Sequence, residues 1–172
     1  MRPLGVISGL AATVVTVLGS LSGTATAHAS NYGIELNGTW RVISDGDWAR
    51  TNEVKIKQKT VIQTWTITSS CVSPVECTGE VHSDQGWSAP IRLNEWWIVD
   101  RVVPNWIPCS NGTFVDGFQK FMLWGINPVA NERDLKITDL MAGRDRTTGP
   151  SGACGVNKPV VIEMPLRLER IS

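Results

Sequence analysis

"PVVIEMPLRLERI", residues 159 to 171, alternates apolar and polar side chains along most of its length. One face of the extended chain carries Val160, Ile162, Met164, Leu166 and Leu168. The other face carries charged residues, namely Glu163, Arg167 and Glu169. Successive side chains of a strand point to opposite faces, so a period of two predicts a β-strand with one buried face. This is the clearest alternation in the chain.

Shorter alternating segments recur between turn residues, and no helical period persists between residues 28 and 172. They occupy residues 38–44, 53–59, 61–69, 76–83, 86–93, 95–103, 117–124 and 135–143. Residues 143–158 are the one long segment without such a pattern. The chain is therefore predicted to be all-β, a single antiparallel meander of about eight or nine strands. A small barrel and a two-layer sandwich fit equally well.

Residues 1–27 have the order of a secretory signal peptide. One positive residue precedes an uncharged apolar run, and Ala25-Thr26-Ala27 supplies an A-x-A cleavage site. We expect cleavage after Ala27 or Ala29, which leaves a single β domain over residues 28–172. The alternative is an uncleaved membrane anchor, because the apolar run is close to the length that spans a bilayer.

Composition argues against two classes of partner. The chain has 16 Lys and Arg against 16 Asp and Glu, so loss of Arg2 with the leader gives a net charge of about −1. Such a balance provides no electrostatic attraction for nucleic acid or for an anionic membrane surface. We expect neither as a partner once the leader is cleaved.

Four cysteines, Cys71, Cys77, Cys109 and Cys154, follow the leader. An even number in an exported chain predicts two disulfides. Of the three possible pairings we favour Cys71 with Cys77, because a Ser-Pro turn signal lies between them, and this leaves Cys109 with Cys154. The spacing does not fit a zinc site, so we expect no metal and no cofactor.

Eight tryptophans are candidates either for the core or for a binding surface. They are Trp40, Trp48, Trp65, Trp87, Trp96, Trp97, Trp106 and Trp124. Most are in phase with aliphatic neighbours, which favours the core. Trp96 and Trp97 are adjacent, and adjacent strand residues face opposite ways, so one of them is predicted to be an exposed aromatic contact.

Gly38-Thr39-Trp40 resembles the G-x-W start of the lipocalin and avidin barrels. In those barrels the Trp closes one end and packs against an Arg late in the chain. Arg167 and Arg170 could provide that partner by cation–π stacking. This resemblance implies a carrier of a small apolar ligand in a barrel cavity and makes Trp40 a candidate binding residue. The alternative is an ordinary strand that begins with Gly.

A pattern of Cys, Gly, Trp and Val residues runs through residues 65–155. Its members are Cys71, Cys77, Gly79, Val81, Gly86, Trp87, Trp97, Val99, Arg101, Val103, Cys109, Gly112, Thr113, Ala153, Cys154 and Gly155. The pattern resembles that of a group of small exported mycobacterial proteins of unknown function. The resemblance implies a β domain with a shared disulfide frame, similar to the external sensor domains of some membrane-bound kinases. It implies no catalytic residue.

Catalytic patterns are weak. Ser83 and Asp84 directly follow His82, but strand neighbours point apart and a catalytic triad is assembled from residues distant in sequence. Ser151 lies between glycines without the strand and helix of a nucleophile elbow. We therefore predict no enzymatic activity.

A stripe of lysines, Lys55, Lys57 and Lys59, favours protection of an edge strand over a site for an acidic partner. Taken together, the patterns predict a secreted or cell-envelope domain that binds a protein or an envelope component at its surface. A lipocalin-like carrier is the alternative.

Overall fold

Eight long strands close into an antiparallel barrel in the computed structural model, which describes residues 31–172. In chain order the strands are β1 (Gly38–Ser44), β2 (Arg50–Thr51), β3 (Val54–Lys55), β4 (Val61–Ser73), β5 (Glu76–Ser83), β6 (Trp87–Asn94), β7 (Trp96–Pro108), β8 (Phe114–Asn127), β9 (Glu132–Arg133), β10 (Leu140–Thr148) and β11 (Val161–Arg170). Two short 3-10 helices lie at Gly46–Trp48 and Ala153–Gly155. The all-β prediction is confirmed.

The order of strands around the barrel is β1-β4-β5-β6-β7-β8-β10-β11, and β11 pairs back onto β1. That last pairing places Val42 opposite Leu168 and Ser44 opposite Leu166. A two-layer sandwich would leave edge strands at this point, whereas closure removes them. The structure is therefore a barrel, and β2, β3 and β9 are additions to it.

The middle of the barrel interior is filled by side chains. Trp65 is fully buried, and its ring meets Phe121 edge-on at 4.9 Å and Trp87 edge-on at 5.5 Å. On β11 the predicted inward residues Met164, Leu166 and Leu168 are buried. Because edge-to-face contacts suit the ring quadrupole, these aromatics pack densely without a hollow centre.

One barrel end is closed around Trp40, which is fully buried. The Arg170 guanidinium carbon lies 5.8 Å from the Trp40 ring centroid, so the predicted late arginine is confirmed and is Arg170. Arg167 instead pairs with Glu169 at 2.7 Å. Gly38 has φ +120°, and a Cβ there would overlap the Ser172 carbonyl, so glycine is required at this start.

Residues 53–59 do not form the strand that their alternation predicts. Only Val54–Lys55 is extended, paired with β2 alone, and Val54 and Ile56 are exposed. The amide of Gln58 donates to the Gly46 carbonyl outside any ladder. This segment lies outside the closed barrel, and among residues 31–172 its apolar face remains largely exposed.

The predicted strand over residues 135–143 and the unstructured segment over residues 143–158 also need correction. Strand β10 begins at Leu140 and continues to Thr148. Asp145 and Thr147 face the interior and are buried. Because these inward side chains are polar, this part of β10 lacks the apolar–polar alternation that predicts a strand.

Both predicted disulfides are present. Cys71–Cys77 bridges the β4–β5 hairpin with a Cα–Cα distance of 4.0 Å. Cys109–Cys154 links the tip of the β7–β8 hairpin to the second 3-10 helix, with Cα atoms 5.1 Å apart. The second bond therefore ties together segments that no strand pairing holds.

The predicted leader, residues 1–27, lies outside the described residues. Over residues 31–172, no helix has both the length and the apolar character that a membrane crossing requires.

The two disulfides are expected to contribute unequally to stability. The sequence separations are 45 and 6 residues, and loop-closure entropy gives about 4 kcal/mol for the longer loop against about 2 kcal/mol for the shorter. Urea unfolding of the C109A/C154A and C71A/C77A variants measures both. A larger loss of unfolding free energy in C71A/C77A would contradict the expectation.

Candidate functional site

The three predicted binding tryptophans occupy different environments. Trp40 is fully buried at the closed end, and Trp97 is 3% exposed on the inward face of β7. Neither presents its indole at the surface. Trp96, which directly precedes Trp97, lies on the outward face and is half-buried. An exposed aromatic contact on this strand can come from Trp96 and not from its neighbour.

Trp96 belongs to a cluster on the outer wall of the barrel. Its ring meets Trp124 of β8 at 5.4 Å between centroids, with an interplanar angle of 64°. The Arg133 guanidinium carbon lies 3.8 Å from the Trp96 centroid and 5.7 Å from that of Trp124. Strand β9 pairs with the end of β8 and so places Arg133 over both rings. The contacts have the geometry of cation–π pairs.

A groove of about 450 Å³ continues from Trp124 to Trp48. Trp48 ends the first 3-10 helix and is 62% exposed, with the Lys55 ammonium 4.0 Å from its ring centroid. Arg144 of β10 lines the same groove as the two indoles. We call Trp48, Trp96 and Trp124, with Lys55, Arg133 and Arg144, the tryptophan surface.

Of the residues of the tryptophan surface, only Trp96 is among the binding residues predicted from the sequence. Trp48 follows a turn, where no strand phase assigns a direction to its side chain. Trp124 alternates with the buried Leu123, a signal of outward orientation that was available in the sequence. Arg133 lies in a two-residue strand, and its contact with Trp96 depends on chain folding alone.

The opposite end from Trp40, which we call the barrel mouth, contains a polar network. Asp145 is 1% exposed. Its carboxylate accepts hydrogen bonds from Ser44 Oγ at 2.7 Å and from Gln119 Nε2 at 2.8 Å. Gln119 Oε1 in turn accepts a hydrogen bond from Arg101 Nε at 2.7 Å. The Gln119 amide thus joins the two charged groups.

Arg101 projects inward from β7, in phase with Trp97 and Val99. Its guanidinium carbon lies 4.4 Å from the centroid of the Trp87 ring. Burial lowers the pKa of Arg101, and the charge of Asp145 opposes this shift. An arginine remains protonated under such conditions, so the mouth retains a fixed positive charge.

Burial raises the pKa of Asp145 above its ordinary value of 3.8, and this effect outweighs the opposing hydrogen bonds and the Arg101 charge. Removal from water disfavours the ionised carboxylate. The barrel mouth therefore favours the protonated form of a buried carboxyl group. The alternation of the sequence did not predict that Asp145 is buried.

His82 lies on the exposed face of β5. Its Nδ1 is 2.8 Å from Ser88 Oγ, and its Nε2 is 3.5 Å from a Glu80 oxygen. All three side chains are exposed cross-strand or near neighbours on a convex wall. The structure therefore places His82 on the outer surface of the barrel.

No protein-family model and no curated protein matches this chain. A solved structure described as the monomer form of the M. tuberculosis PknI sensor domain has a similar fold, with a TM-score of 0.56. Sequence identity is 17%, and the match covers 80% of this chain and 88% of that one. Likeness at this identity concerns the fold alone, and it agrees with the predicted all-β domain.

Replacing Trp96 and Trp97 one at a time with alanine should show which of them is a core residue and which is a surface residue. Trp97→Ala removes a buried ring and should lower the unfolding free energy by about 3–5 kcal/mol. Trp96→Ala loses a partly exposed contact and should cost about 1 kcal/mol. Urea unfolding of both variants tests this, and similar losses would show that Trp96 is also a core residue.

Asp145 should make stability depend on pH. Its raised folded-state pKa means that its stabilising contribution is complete below pH 3.8 and is lost as pH rises through the folded-state pKa. Asp145→Asn keeps an acceptor for Gln119 and can donate to Ser44, but it does not titrate. The variant should therefore gain stability relative to the wild type between pH 3 and pH 7, as measured by urea midpoints. A constant difference would contradict the shift.

Proposed function

We propose that this chain is an exported, non-enzymatic binding domain that holds an acidic segment of a partner protein on the tryptophan surface. The observation that carries the proposal is a continuous row of outward indoles, Trp48, Trp124 and Trp96, each within reach of a cation. Tryptophan and arginine are the residues most often found as anchors in protein interfaces.

Charge favours an acidic partner. The groove between Trp48 and Trp124 is lined by three basic residues, Arg50, Lys55 and Arg144. Glu163 is the acidic residue in this lining. The Arg144–Glu163 separation is 4.0 Å and both side chains reach solvent, so this pair holds Arg144 weakly. A carboxylate-bearing segment would meet an excess of positive charge and would be attracted to it.

The cations that lie over the indole rings favour a ligand with carboxylates over a sugar that stacks on the rings. Lys55 lies over the ring of Trp48, and Arg133 lies over that of Trp96. A cation thereby occupies one face of each of these two indoles, and ammonium and guanidinium groups are hydrogen-bond donors with no acceptor. A ligand that accepts from these donors and packs against the ring edges suits the surface best.

Support for an external, non-catalytic role comes from two features. The two disulfides suit an oxidising compartment. The fold is similar to that of a solved sensor domain. The inward residues of the barrel pack together at the closed end, so the lipocalin-like alternative would place a small molecule at the barrel mouth, where space remains.

The test is retention of the purified domain on washed cell envelopes of the source organism. We expect retention to fall at least fivefold in Trp48→Ala and in Arg144→Glu, and to weaken with salt because the charges are exposed. Phe114→Ala is the matched control, since Phe114 is 57% exposed at the distant hairpin tip. Melting temperatures of all variants should stay close to that of the wild type.

Pretreatment of the envelopes identifies the class of partner. Protease should abolish retention, and glycan-degrading enzymes should not. Retention that survives protease but is lost after glycan digestion would assign the surface to a glycan and contradict a protein partner. Equal retention of Arg144→Glu and wild type would contradict the role of charge.

A further inference from the structure

The barrel mouth contains a cavity that the proposed partner surface does not use. Its volume is about 260 Å³, and it is lined by polar residues including Arg101, Gln119 and Thr147 and by apolar residues including Val61, Val103 and Ile162. At the volume of roughly 30 Å³ that a water-sized group occupies, it has room for about eight such groups. This is the size of a small metabolite.

Gln119 and Trp87 fix the position of the Arg101 side chain, and its two outer nitrogens, Nη1 and Nη2, can still donate to a ligand. Nε donates to Gln119, and the guanidinium plane lies against Trp87. In the described part of the chain, Nη1 and Nη2 form no hydrogen bond or ion pair with a side chain. Two parallel N–H donors of one guanidinium match the two oxygens of a carboxylate.

Gln119 separates Arg101 from Asp145, so the two charged groups do not form a direct ion pair. It stands between Arg101 and Asp145, whose oxygens are occupied by Gln119 and Ser44. A close Arg–Asp pair would have consumed the guanidinium donors. Here the amide holds Nε of Arg101, and the side chain lines the cavity with Nη1 and Nη2 left for a ligand, as a preorganised binding group requires.

The other walls suit a short hydrocarbon chain. Beyond a bulge in β7, the Trp106 ring turns inward and lies on Gly117, where an added Cβ would be 2.8 Å from it. The ring lines the cavity together with Val103 and Ile162. The Cys109–Cys154 disulfide, three residues after Trp106, pins this hairpin to the second 3-10 helix.

We infer that the barrel mouth is a second binding site, separate from the tryptophan surface, for a small monocarboxylate with a short apolar tail. The carboxylate is held by the outer edge of Arg101, and the tail lies among Val61, Val103 and Trp106. The anionic head of such a ligand matches the charged Arg101, and its apolar tail matches the apolar part of the cavity wall. The inference does not depend on the identity of the protein partner.

Isothermal titration calorimetry with hexanoate as the probe tests the site, with hexanamide as the uncharged match. Saturable one-to-one binding of hexanoate is expected, and hexanamide should bind at least tenfold more weakly. Arg101→Gln should weaken hexanoate binding at least tenfold, because the bidentate donor pair is lost. The Trp48→Ala variant is the control and should bind hexanoate like the wild type.

A second variant covers the case in which Arg101→Gln fails to fold. Val61 is 37% exposed at the rim, so Val61→Trp should fold and fill the space for the tail while leaving Arg101 intact. It too should lose hexanoate binding. Absence of saturable binding, equal binding of hexanamide, tighter binding of hexyl phosphate, or full binding in Val61→Trp would each overturn the inference.

Discussion

Closure of the barrel by the pairing of β1 with β11 is the constraint on which the rest of the structure depends. It joins the first and last long strands of the described domain and gives both a partner on each side. Closure also determines which face of every strand is inside, and so where each tryptophan points. Two fully buried indole N–H groups, those of Trp40 and Trp65, have no hydrogen-bond partner among the described residues. Each such group costs about 1–3 kcal/mol, which the area buried by the rings must exceed.

The barrel has two ends of different chemistry. At one end the buried Trp40 and the disulfide Cys71–Cys77 close the interior, and Arg170 lies over the Trp40 ring in a cation–π contact. At the mouth, Asp145 and Arg101 are brought inside and connected through Gln119. Moving charged groups out of water costs free energy that their hydrogen bonds only partly return, so this end exchanges some stability for a polar interior. Such an exchange is common where a protein binds a ligand.

The outer wall uses the same residue types in another way. Short additions to the barrel, β3 and β9, place Lys55 and Arg133 over tryptophans on the outside. Neither addition contributes a long strand to the closed sheet, and both lie next to outward indoles. The tryptophan surface therefore depends on peripheral segments attached to a rigid wall, an arrangement typical of binding sites carried by a stable scaffold.

Alternation in the sequence determined the all-β class, the inward face of β11, and the opposite directions of Trp96 and Trp97. The cysteine spacing and turn signal indicated both disulfides. These features are local, because a strand's period of two and a turn's residue preferences act over a few residues. Tertiary structure alone decided closure into a barrel, the stacking of Arg133 on Trp96, and the link from Arg101 through Gln119 to Asp145. Those contacts join residues far apart in the chain, and the strand order that brings them together is not encoded in any one segment.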